Sequence, residues 1–230
     1  MLTAFGEAIW TADGPDVVAA LGFHYPTRMT VIRLSGGGLF VCSPVGLTDA
    51  LRAAIDALGE VRHIVAPNAL HHVFITDWKH AYPGARLHAA PGLRQKRKDI
   101  AFDNDLSDAP FPDWSDDIDH VLVHGNAITH EVVFFHRRSG TVIFTDLIQQ
   151  LPAHWFSGWR AVVATWDLML GPEPSVPRKF RVAFVNRRAA RVCLARILSW
   201  PADKVLMAHG TPVTADGQAF IRRAFRWLMA

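Results

Sequence analysis

Apolar and polar residues along the first third of the chain follow patterns typical of a mixed α/β protein. Two apolar runs, MTVIRL (29–34) and GLFVCSP (38–44), flank an SGGG stretch and predict a β-hairpin with a glycine-permitted turn. The segment LTDALRAAIDALG (47–59) has apolar residues at three- and four-residue spacing between a threonine and a glycine, which predicts a capped amphipathic helix. The apolar run VRHIVAP (61–67) then predicts a buried strand.

The middle of the chain continues this alternation. A short helix is predicted around 73–80, and a strand over ARLHAAP (85–91), which ends at a proline. Residues 92–117 contain a basic run and then an acidic, proline-bearing stretch, and they predict an exposed helix followed by an irregular loop. Three consecutive apolar runs then predict an antiparallel meander: IDHVLVHG (118–125), HEVVFFHRR (130–138) and GTVIFTDL (140–147).

The last third returns to helical patterns. The tryptophan-containing segment 151–186 is interrupted by prolines and glycines and predicts a helical lid or interface segment. An amphipathic helix is predicted over 186–200, a buried strand over KVLMAHG (204–210), and a closing amphipathic helix over 215–230. Strands and helices are both abundant, so the pattern predicts an α/β protein, which we expect to form one domain over residues 1–230.

Composition and charge narrow the class of protein. The formal charge is only +3, and the basic run RQKRK (94–98) comes without a recognised nucleic-acid motif, so a solvated face is favoured over a nucleic-acid site. No apolar stretch has the length of a membrane span, and the first basic residue is Arg28, so we predict no membrane anchor or secretory signal and a cytoplasmic protein. Exposed tryptophans would favour a homodimer.

Three predicted strands end in side chains that commonly bind metal ions. His71 and His72 follow the 61–67 strand, Asp146 ends TVIFTDL, and His209 ends KVLMAHG. Ligands gather where the strands of α/β sheets end, and the two cysteines, Cys42 and Cys193 in the sequence, are too few for a thiolate cluster. Nitrogen and oxygen donors of this kind suit Zn²⁺ or Fe²⁺. Each residue also has a structural interpretation, as a helix cap, a turn residue or a satisfied core histidine.

The order of these motifs resembles that of the metallo-β-lactamase superfamily over nearly the whole chain, and specifically an uncharacterised bacterial branch of it. The hairpin 29–44 stands for the family's early hairpin, and PNALHH (67–72) replaces its His-x-His-x-Asp-His motif. TDL (145–147) corresponds to a "GDL"-like turn and AHG (208–210) to a "GHG"-like strand end. The resemblance implies a layered αββα sandwich with a metal site built from these motifs.

The chain departs from the family pattern at the ligands of the first metal. Pro67 and Ala69 stand where the first two histidines of the motif belong, and a register one residue later puts Asn68 and Leu70 there. In the third region of the pattern, Asn126 is nearest to the expected histidine. The resemblance therefore implies a degenerate first metal motif.

The counterparts of the second metal's ligands remain. By the resemblance, His71 and His72 match the motif's Asp-His pair, His209 matches the late histidine, and Asp146 matches the aspartate that can bridge. This implies one divalent metal, zinc or iron, held by these four residues. Four ligands can also close the coordination shell and leave a structural ion. Asp77 is a candidate general base or acceptor for an imidazole N–H, with a solvent-facing carboxylate as the alternative.

Other residues near these motifs are candidates for supporting roles. His124, His130 and Glu131 border the third region and can supply a missing ligand, although strand alternation prevents His130 and Glu131 from both pointing inward. Three tryptophans are candidates for the walls of a pocket or for core packing: Trp78, Trp155 and Trp166.

The sequence therefore leaves several functions open. The leading hypothesis is a mononuclear metal-dependent hydrolase that acts on a small ester, thioester or phosphoester through a metal-bound hydroxide, supported by Asp146 and Asp77. The alternative is a non-catalytic binding or assembly module with a vestigial metal site, working through segment 151–186. Redox chemistry at a histidine-rich iron and phosphate or nucleic-acid binding through RQKRK are two further interpretations. No motif in the sequence specifies the substrate.

Overall fold

A computed structural model describes residues 1–229 of the chain, and in this range the strands form two sheets. The first sheet contains β1 to β7 in sequence order, antiparallel as far as β4 and parallel from β4 to β7. The second has the order β11-β10-β9-β8 and is parallel only between β10 and β11. The strands are β1 (Leu2–Gly6), β2 (Ile9–Val18), β3 (His24–Arg33), β4 (Leu39–Cys42), β5 (Val61–Ala66), β6 (Arg86–Ala89), β7 (Asn104–Asp105), β8 (Ile118–Val123), β9 (Glu131–His136), β10 (Thr141–Ile143) and β11 (Lys204–Leu206).

Helices flank both sheets. The predicted helix after the first hairpin is confirmed: the Thr48 side chain accepts a hydrogen bond from the backbone N–H of Leu51 at 3.2 Å, and the helix ends at Gly59. Within the described residues, no helix is both long and apolar enough to span a membrane. The helices are α1 (Asp49–Leu58), α2 (Ile75–Ala81), α3 (Leu93–Lys96), α4 (Gly158–Trp166), α5 (Arg178–Ala183), α6 (Arg187–Ile197), α7 (Gly217–Ala224) and α8 (Arg226–Met229).

Side-chain alternation along the strands produces four layers. On β4, Val41 packs in one cluster with Ile55 of α1, whereas Phe40 points to the opposite face and meets Phe134 of β9, with ring centroids 5.2 Å apart. The neighbouring Phe135 faces away from the first sheet and packs in the cluster that contains residues of α6 and α7. The order of layers is therefore helix, sheet, sheet, helix, which confirms the predicted αββα sandwich.

Some elements differ from the sequence prediction. Residues 1–18, for which the pattern gave no strand, form β1 and β2, and the helix expected after residue 92 is only the four-residue α3. The segment after α3 is irregular as expected apart from the two-residue β7, and it packs Trp114 into the core, with its ring 5.0 Å from that of Phe40. In segment 151–186, α4 presents an exposed apolar stripe at helical spacing: Trp159, Val162, Val163 and Trp166.

Candidate metal centre

The candidate metal centre lies at one edge of the two packed sheets. Ser43 directly follows β4, Asn68 follows β5, Asp146 follows β10 and His209 follows β11. β4 runs parallel to β5, and β10 runs parallel to β11, so each pair brings its carboxyl ends to the same edge. This topology explains how residues far apart in the sequence meet in one place.

Two histidines converge on one buried carboxylate. His71 Nε2 lies 3.1 Å from Asp146 Oδ2, and His209 Nε2 lies 3.4 Å from Asp146 Oδ1. The three side chains are no more than 8% exposed, and their potential ligand atoms all lie within 4.8 Å of one another. This triad is the part of the predicted ligand set that the structure brings together.

The outer hydrogen bonds of both imidazoles fix where their protons are. His209 Nδ1 lies 2.7 Å from the carbonyl oxygen of Pro26, which can only accept, so Nδ1 carries the hydrogen. The Ser43 hydroxyl donates to the carbonyl oxygen of Arg28 at 3.2 Å and therefore accepts from His71 Nδ1 at 2.7 Å. In the neutral forms, both Nε2 atoms thus direct an unshared electron pair towards the carboxylate.

Such an arrangement requires a cation between the rings and the carboxylate. Burial favours the neutral imidazole, but the Asp146 carboxylate outweighs it and raises the pKa of His71 above its ordinary value. Burial alone would raise the pKa of Asp146, but His71 and His209 hold it well below its usual range. Protons on the imidazoles can meet this requirement, and so can a divalent metal ion that takes their place.

Amide groups hold the Asp146 carboxylate in its orientation. Asn68 Nδ2 donates to Oδ2 at 2.8 Å, and Gln149 Nε2 donates to Oδ1 at 3.1 Å, so each oxygen keeps a further lone pair for the histidine side. The other end of the Asn68 amide accepts from the backbone N–H groups of Leu70 and His71 at 2.7 and 3.0 Å. One asparagine therefore positions both the carboxylate and the backbone that carries His71.

A second buried acid supports the turn that carries Asp146. Glu131 is fully buried and accepts hydrogen bonds from the backbone N–H groups of Thr145, Asp146 and Leu147 at 2.8, 2.7 and 3.1 Å. Burial and the Asp146 carboxylate raise the pKa of Glu131, against the effect of these N–H donors. Two acids thus share one buried region, which increases its need for positive charge.

The three donors fit a divalent metal such as zinc. The ligand atoms of a tetrahedral zinc with bonds near 2.1 Å lie about 3.4 Å apart. Here each imidazole nitrogen lies at a similar distance from a different Asp146 oxygen, 3.1 Å from Oδ2 and 3.4 Å from Oδ1, and one donor atom from each residue lies within 4.8 Å of the others. Histidines that bind metals usually donate their other ring N–H to an oxygen, as both histidines do here. Three protein donors would leave the fourth position of a tetrahedral ion open, whereas the four-ligand set expected from the sequence would fill it.

The loop that carries His209 is anchored to β3. Arg28 Nη1 donates to the carbonyl oxygens of Met207 and Gly210 at 3.1 and 2.5 Å. Gly210 has φ +154°, and a Cβ there would lie 3.0 Å from Met207 Sδ and 3.1 Å from the Gln150 backbone nitrogen. Glycine at position 210 therefore allows the chain to turn closely after His209.

His72 does not join the triad, so the expected arrangement of four converging ligands is corrected to three. Its Nδ1 accepts from Arg97 Nη1 at 3.0 Å, and burial together with Lys96 and Arg97 lowers the pKa of His72 to about 4. The two adjacent histidines separate because Asn68 holds the His71 backbone while Arg97 holds the His72 ring. Asp77 lies exposed in the first turn of α2, as expected for a solvent-facing carboxylate, which was the alternative to its role as a general base.

The residues near the third region have other partners. His124 Nε2 pairs with Asp108 Oδ2 at 2.6 Å at a partly exposed position, and His130 is exposed. Asn126, the counterpart of a family histidine, donates to the carbonyl oxygen of Phe180 at 3.1 Å. Of this group, Glu131 is the residue in contact with the triad, through the backbone of Asp146.

The three tryptophans considered as pocket walls have separate surroundings. Trp78 is fully buried and donates to the carbonyl oxygen of Val45 at 2.6 Å, which is a core role. Trp155 donates to the carbonyl oxygen of His24 at 3.0 Å, and Trp166 is 71% exposed. None of these three lines the cavity that contains the triad.

An open cavity of about 390 Å³ contains the triad in its lining. A larger hollow of about 690 Å³ adjoins Gly210 and is lined by Arg28, Gln150 and Trp155, but none of the three triad residues reaches it. The smaller cavity is therefore the candidate site for a substrate, because chemistry needs the reacting groups at the cavity surface.

Ser43 and Gln149, which contact the triad, were not predicted from the sequence. Asn68 was considered only as the residue at the position of a lost metal ligand. The available signal for Ser43 was its position, since it follows β4, which is parallel to β5. Gln149 lies three residues after Asp146 in the sequence, a spacing within reach of the same carboxylate.

Comparisons with known structures show the fold to which the chain belongs. A metallo-beta-lactamase from Pontibacter korlensis has a TM-score of 0.66 at 12% identity, over 100% of this chain and 98% of that chain. The mono-zinc form of the metallo-beta-lactamase FIM-1 from Pseudomonas aeruginosa has 0.64 at 13% identity, over 100% and 94%. A metallo-beta-lactamase from Hirschia baltica has 0.63 at 13% identity, over 99% and 97%. At these identities the likeness shows the fold, so this is a protein of the metallo-β-lactamase fold.

A family model assigns the chain to a particular sequence family. Residues 6–158, more than half of the chain, match the family described as a domain of unknown function, DUF4336, and the protein belongs to that family. The matched range includes His71 and Asp146 and ends before His209. No curated protein sequence matches the chain.

Proposed function

We propose that this protein is a mononuclear metal-dependent hydrolase, with His71, Asp146 and His209 as the ligands of one divalent ion. The observation that carries the proposal is the convergence of two imidazole Nε2 atoms, both with outer Nδ1 hydrogen bonds, on one buried carboxylate. The metallo-β-lactamase fold, which one relative adopts in a mono-zinc form, supports the same conclusion. Zinc is the expected ion, and iron is compatible with the same donors.

Each residue of the site has a defined task in this proposal. Ser43 and the Pro26 carbonyl hold the two imidazoles with Nε2 directed inward, so that the rings bind metal as neutral ligands. Asn68 and Gln149 prevent rotation of the Asp146 carboxylate, which supplies negative charge and orients water at the open position. When bound, the metal supplies a Lewis acid that polarises a carbonyl and lowers the pKa of water towards ~7.

The direct test compares two adjacent histidines. His71→Ala removes a proposed ligand, whereas His72→Ala removes a ring that contacts Arg97 instead. Protein purified without a histidine tag or added metal is expected to contain about one zinc or iron per chain by elemental analysis. This metal should be lost in His71→Ala and retained in His72→Ala, with both variants checked for folding by circular dichroism. Equal metal content in both variants, or no metal in reconstituted wild type, would contradict the proposal.

A second candidate function is a non-catalytic binding or assembly module. The observation that favours it is the exposed stripe on α4, where Trp159 and Trp166 are 52% and 71% exposed. In that case the fold would present α4 to a partner and metal would be dispensable. Sedimentation of wild type and of Trp159→Ser/Trp166→Ser with and without chelator tests this function. Association that depends on the stripe and ignores chelation is expected for a module, and its absence would dismiss it.

A further inference from the structure

The wall of the triad cavity is mostly apolar. Beyond the triad, the cavity is lined from β2 and the segment after it, β3, the segments after β4 and β5, the loop before β9, the segment after β10 and α5. The largest apolar members are Val17, Leu70, Val73, Phe74, Ile128 and Phe180. Leu70, Val73 and Ile128 are 42%, 48% and 49% exposed, so the wall offers apolar area that a ligand would remove from water.

The hydroxyl and ammonium groups in the same wall have partners within the protein, whereas the buried Gln149 Oε1, an acceptor, has no hydrogen-bond partner in the described structure. Ser43 bonds to His71, and Thr27 Oγ1 donates to the carbonyl oxygen of Pro15 at 2.8 Å. Among residues 1–229, the lining contains one lysine and no arginine, and this Lys179 lies 3.4 Å from Asp167 Oδ2. Its ammonium group also donates to Tyr25 Oη at 3.2 Å. The one cationic side chain of the described lining is therefore already engaged by Asp167 and Tyr25, whereas phosphate recognition uses cations that are free to pair with the ligand.

From this lining we infer that the cavity binds a neutral, apolar acyl group, and that the substrate is a carboxylic ester or thioester of such an acid rather than a phosphoester. This inference rests on the proposed hydrolase function and narrows its substrate class. The apolar wall takes the acyl chain, while the triad lines the same cavity and faces the carbonyl end. Hydrolysis would add water across the acyl bond, giving the free acid and an alcohol or thiol.

A binding experiment tests the acyl preference without requiring turnover. N-methyl alkanamides with four to ten carbons are uncharged and resist hydrolysis, and their affinity for the purified protein can be measured by calorimetry. Burial of each added methylene against the wall predicts about a fourfold gain in affinity, corresponding to ~0.8 kcal/mol. Phenyl phosphate should neither bind at the same concentrations nor displace the amide.

Matched variants locate the binding. Val73→Ser/Ile128→Ser should remove most of the dependence on chain length, whereas Val192→Ser, a 61% exposed valine of α6 outside the cavity, should retain it. Affinity that does not change with chain length, an unchanged response in the double variant, or stronger binding of phenyl phosphate would overturn the inference.

Metal content measured on the same samples distinguishes the two proposals. The His71→Ala variant should lose metal and still bind the ten-carbon N-methyl alkanamide, because the apolar wall remains. Metal-loaded wild type that ignores the amides would overturn only the acyl inference. Metal-free wild type that binds the amides with the expected chain-length dependence would support the apolar site and overturn only the hydrolase function.

Discussion

At the scale of single residues, two buried asparagines form the same local structure in different surroundings. Asn68 Oδ1 accepts from the backbone N–H groups two and three residues later, at 2.7 and 3.0 Å, and Asn126 Oδ1 does the same at 2.9 and 3.4 Å. The Asn68 amide then donates to Asp146, whereas the Asn126 amide donates to the carbonyl oxygen of Phe180. The pair therefore separates the structural role of such a turn from a role in metal binding.

We predict that Asn68→Ala weakens metal binding roughly 10- to 100-fold, because the carboxylate of Asp146 and the backbone of His71 both lose a fixed partner. Asn126→Ala should leave metal affinity unchanged. Both variants should lower the free energy of unfolding by about 1–3 kcal/mol, since each leaves partly buried backbone N–H groups unpaired. Competition with a chromophoric zinc chelator measures the affinity, and urea unfolding measures the stability. Equal loss of affinity in both variants would exclude the specific role of Asn68.

The sequence identified the converging residues better than the residues that position them. His71, Asp146 and His209 could be proposed because each follows an apolar strand and the order of motifs resembles that of a known superfamily. The separation of His71 from His72 could not be predicted. It depends on a turn in which Asn68 holds the His71 backbone, and on a hydrogen bond to the His72 ring from Arg97, which is distant in the sequence. Asparagine, serine and glutamine occur too commonly in loops for one sequence to mark such contacts.

At the scale of elements, periodicity located the long amphipathic helices and the meander. α1 buries Leu51 and Ile55, and α6 buries Cys193 and Leu194. Because these helices have one apolar face, their helical periodicity can be recognised in the sequence. β1 and β2 lie at the edge of the first sheet with many half-exposed positions, and their sequence therefore lacks a clear alternation. β11 has only three residues, and the loop that follows it carries His209, whose Nδ1 donates to the carbonyl oxygen of Pro26.

The close turn of that loop leads to a prediction about Gly210. Gly210→Ala should lower the free energy of unfolding by about 1–3 kcal/mol, because φ +154° is strained for a residue with a Cβ. It should also weaken metal binding, since the new methyl group presses on Met207 and Gln150 beside His209. Gly84→Ala, at an exposed position with no atom within 4 Å of the added Cβ, is the control and should change neither quantity. Wild-type metal affinity in Gly210→Ala would show that the loop adapts without moving His209.

At the scale of the whole molecule, packing two sheets between helices buries more histidines than the metal centre uses. His63 Nδ1 lies 3.1 Å from His88 Nε2 in the first sheet, and His136 at the end of β9 bonds through Nδ1 to the Ser139 hydroxyl at 2.8 Å. All three rings are at most 4% exposed. Burial lowers the pKa of His63 to about 4, that of His88 to about 3 and that of His136 to about 4.

These shifts predict that the fold loses stability in mild acid. In the unfolded chain the three histidines bind protons below pH ~6.5, while in the folded protein His63 and His136 stay neutral until about pH 4 and His88 until about pH 3. The free energy of unfolding should therefore fall as the pH decreases from 6.5 to 4, by about 1.4 kcal/mol per pH unit for each histidine. Urea unfolding in the presence of a chelator, which excludes metal release, measures this slope.

A pair of substitutions in β9 assigns part of that slope to one ring. His136→Leu should reduce the slope by about 1.4 kcal/mol per pH unit. The Ser139 hydroxyl, which loses its contact with His136 in this variant, still donates to Thr141 Oγ1, at 2.8 Å in the wild type. Val133→Ala, a core substitution in the same strand that retains all three histidines, should lower stability at every pH and leave the slope unchanged. If His136→Leu has the wild-type slope, His136 is protonated in the folded protein and its burial does not contribute to acid sensitivity. A reduced slope in His136→Leu alone would instead tie the acid sensitivity of the fold to the way its two sheets enclose neutral histidines.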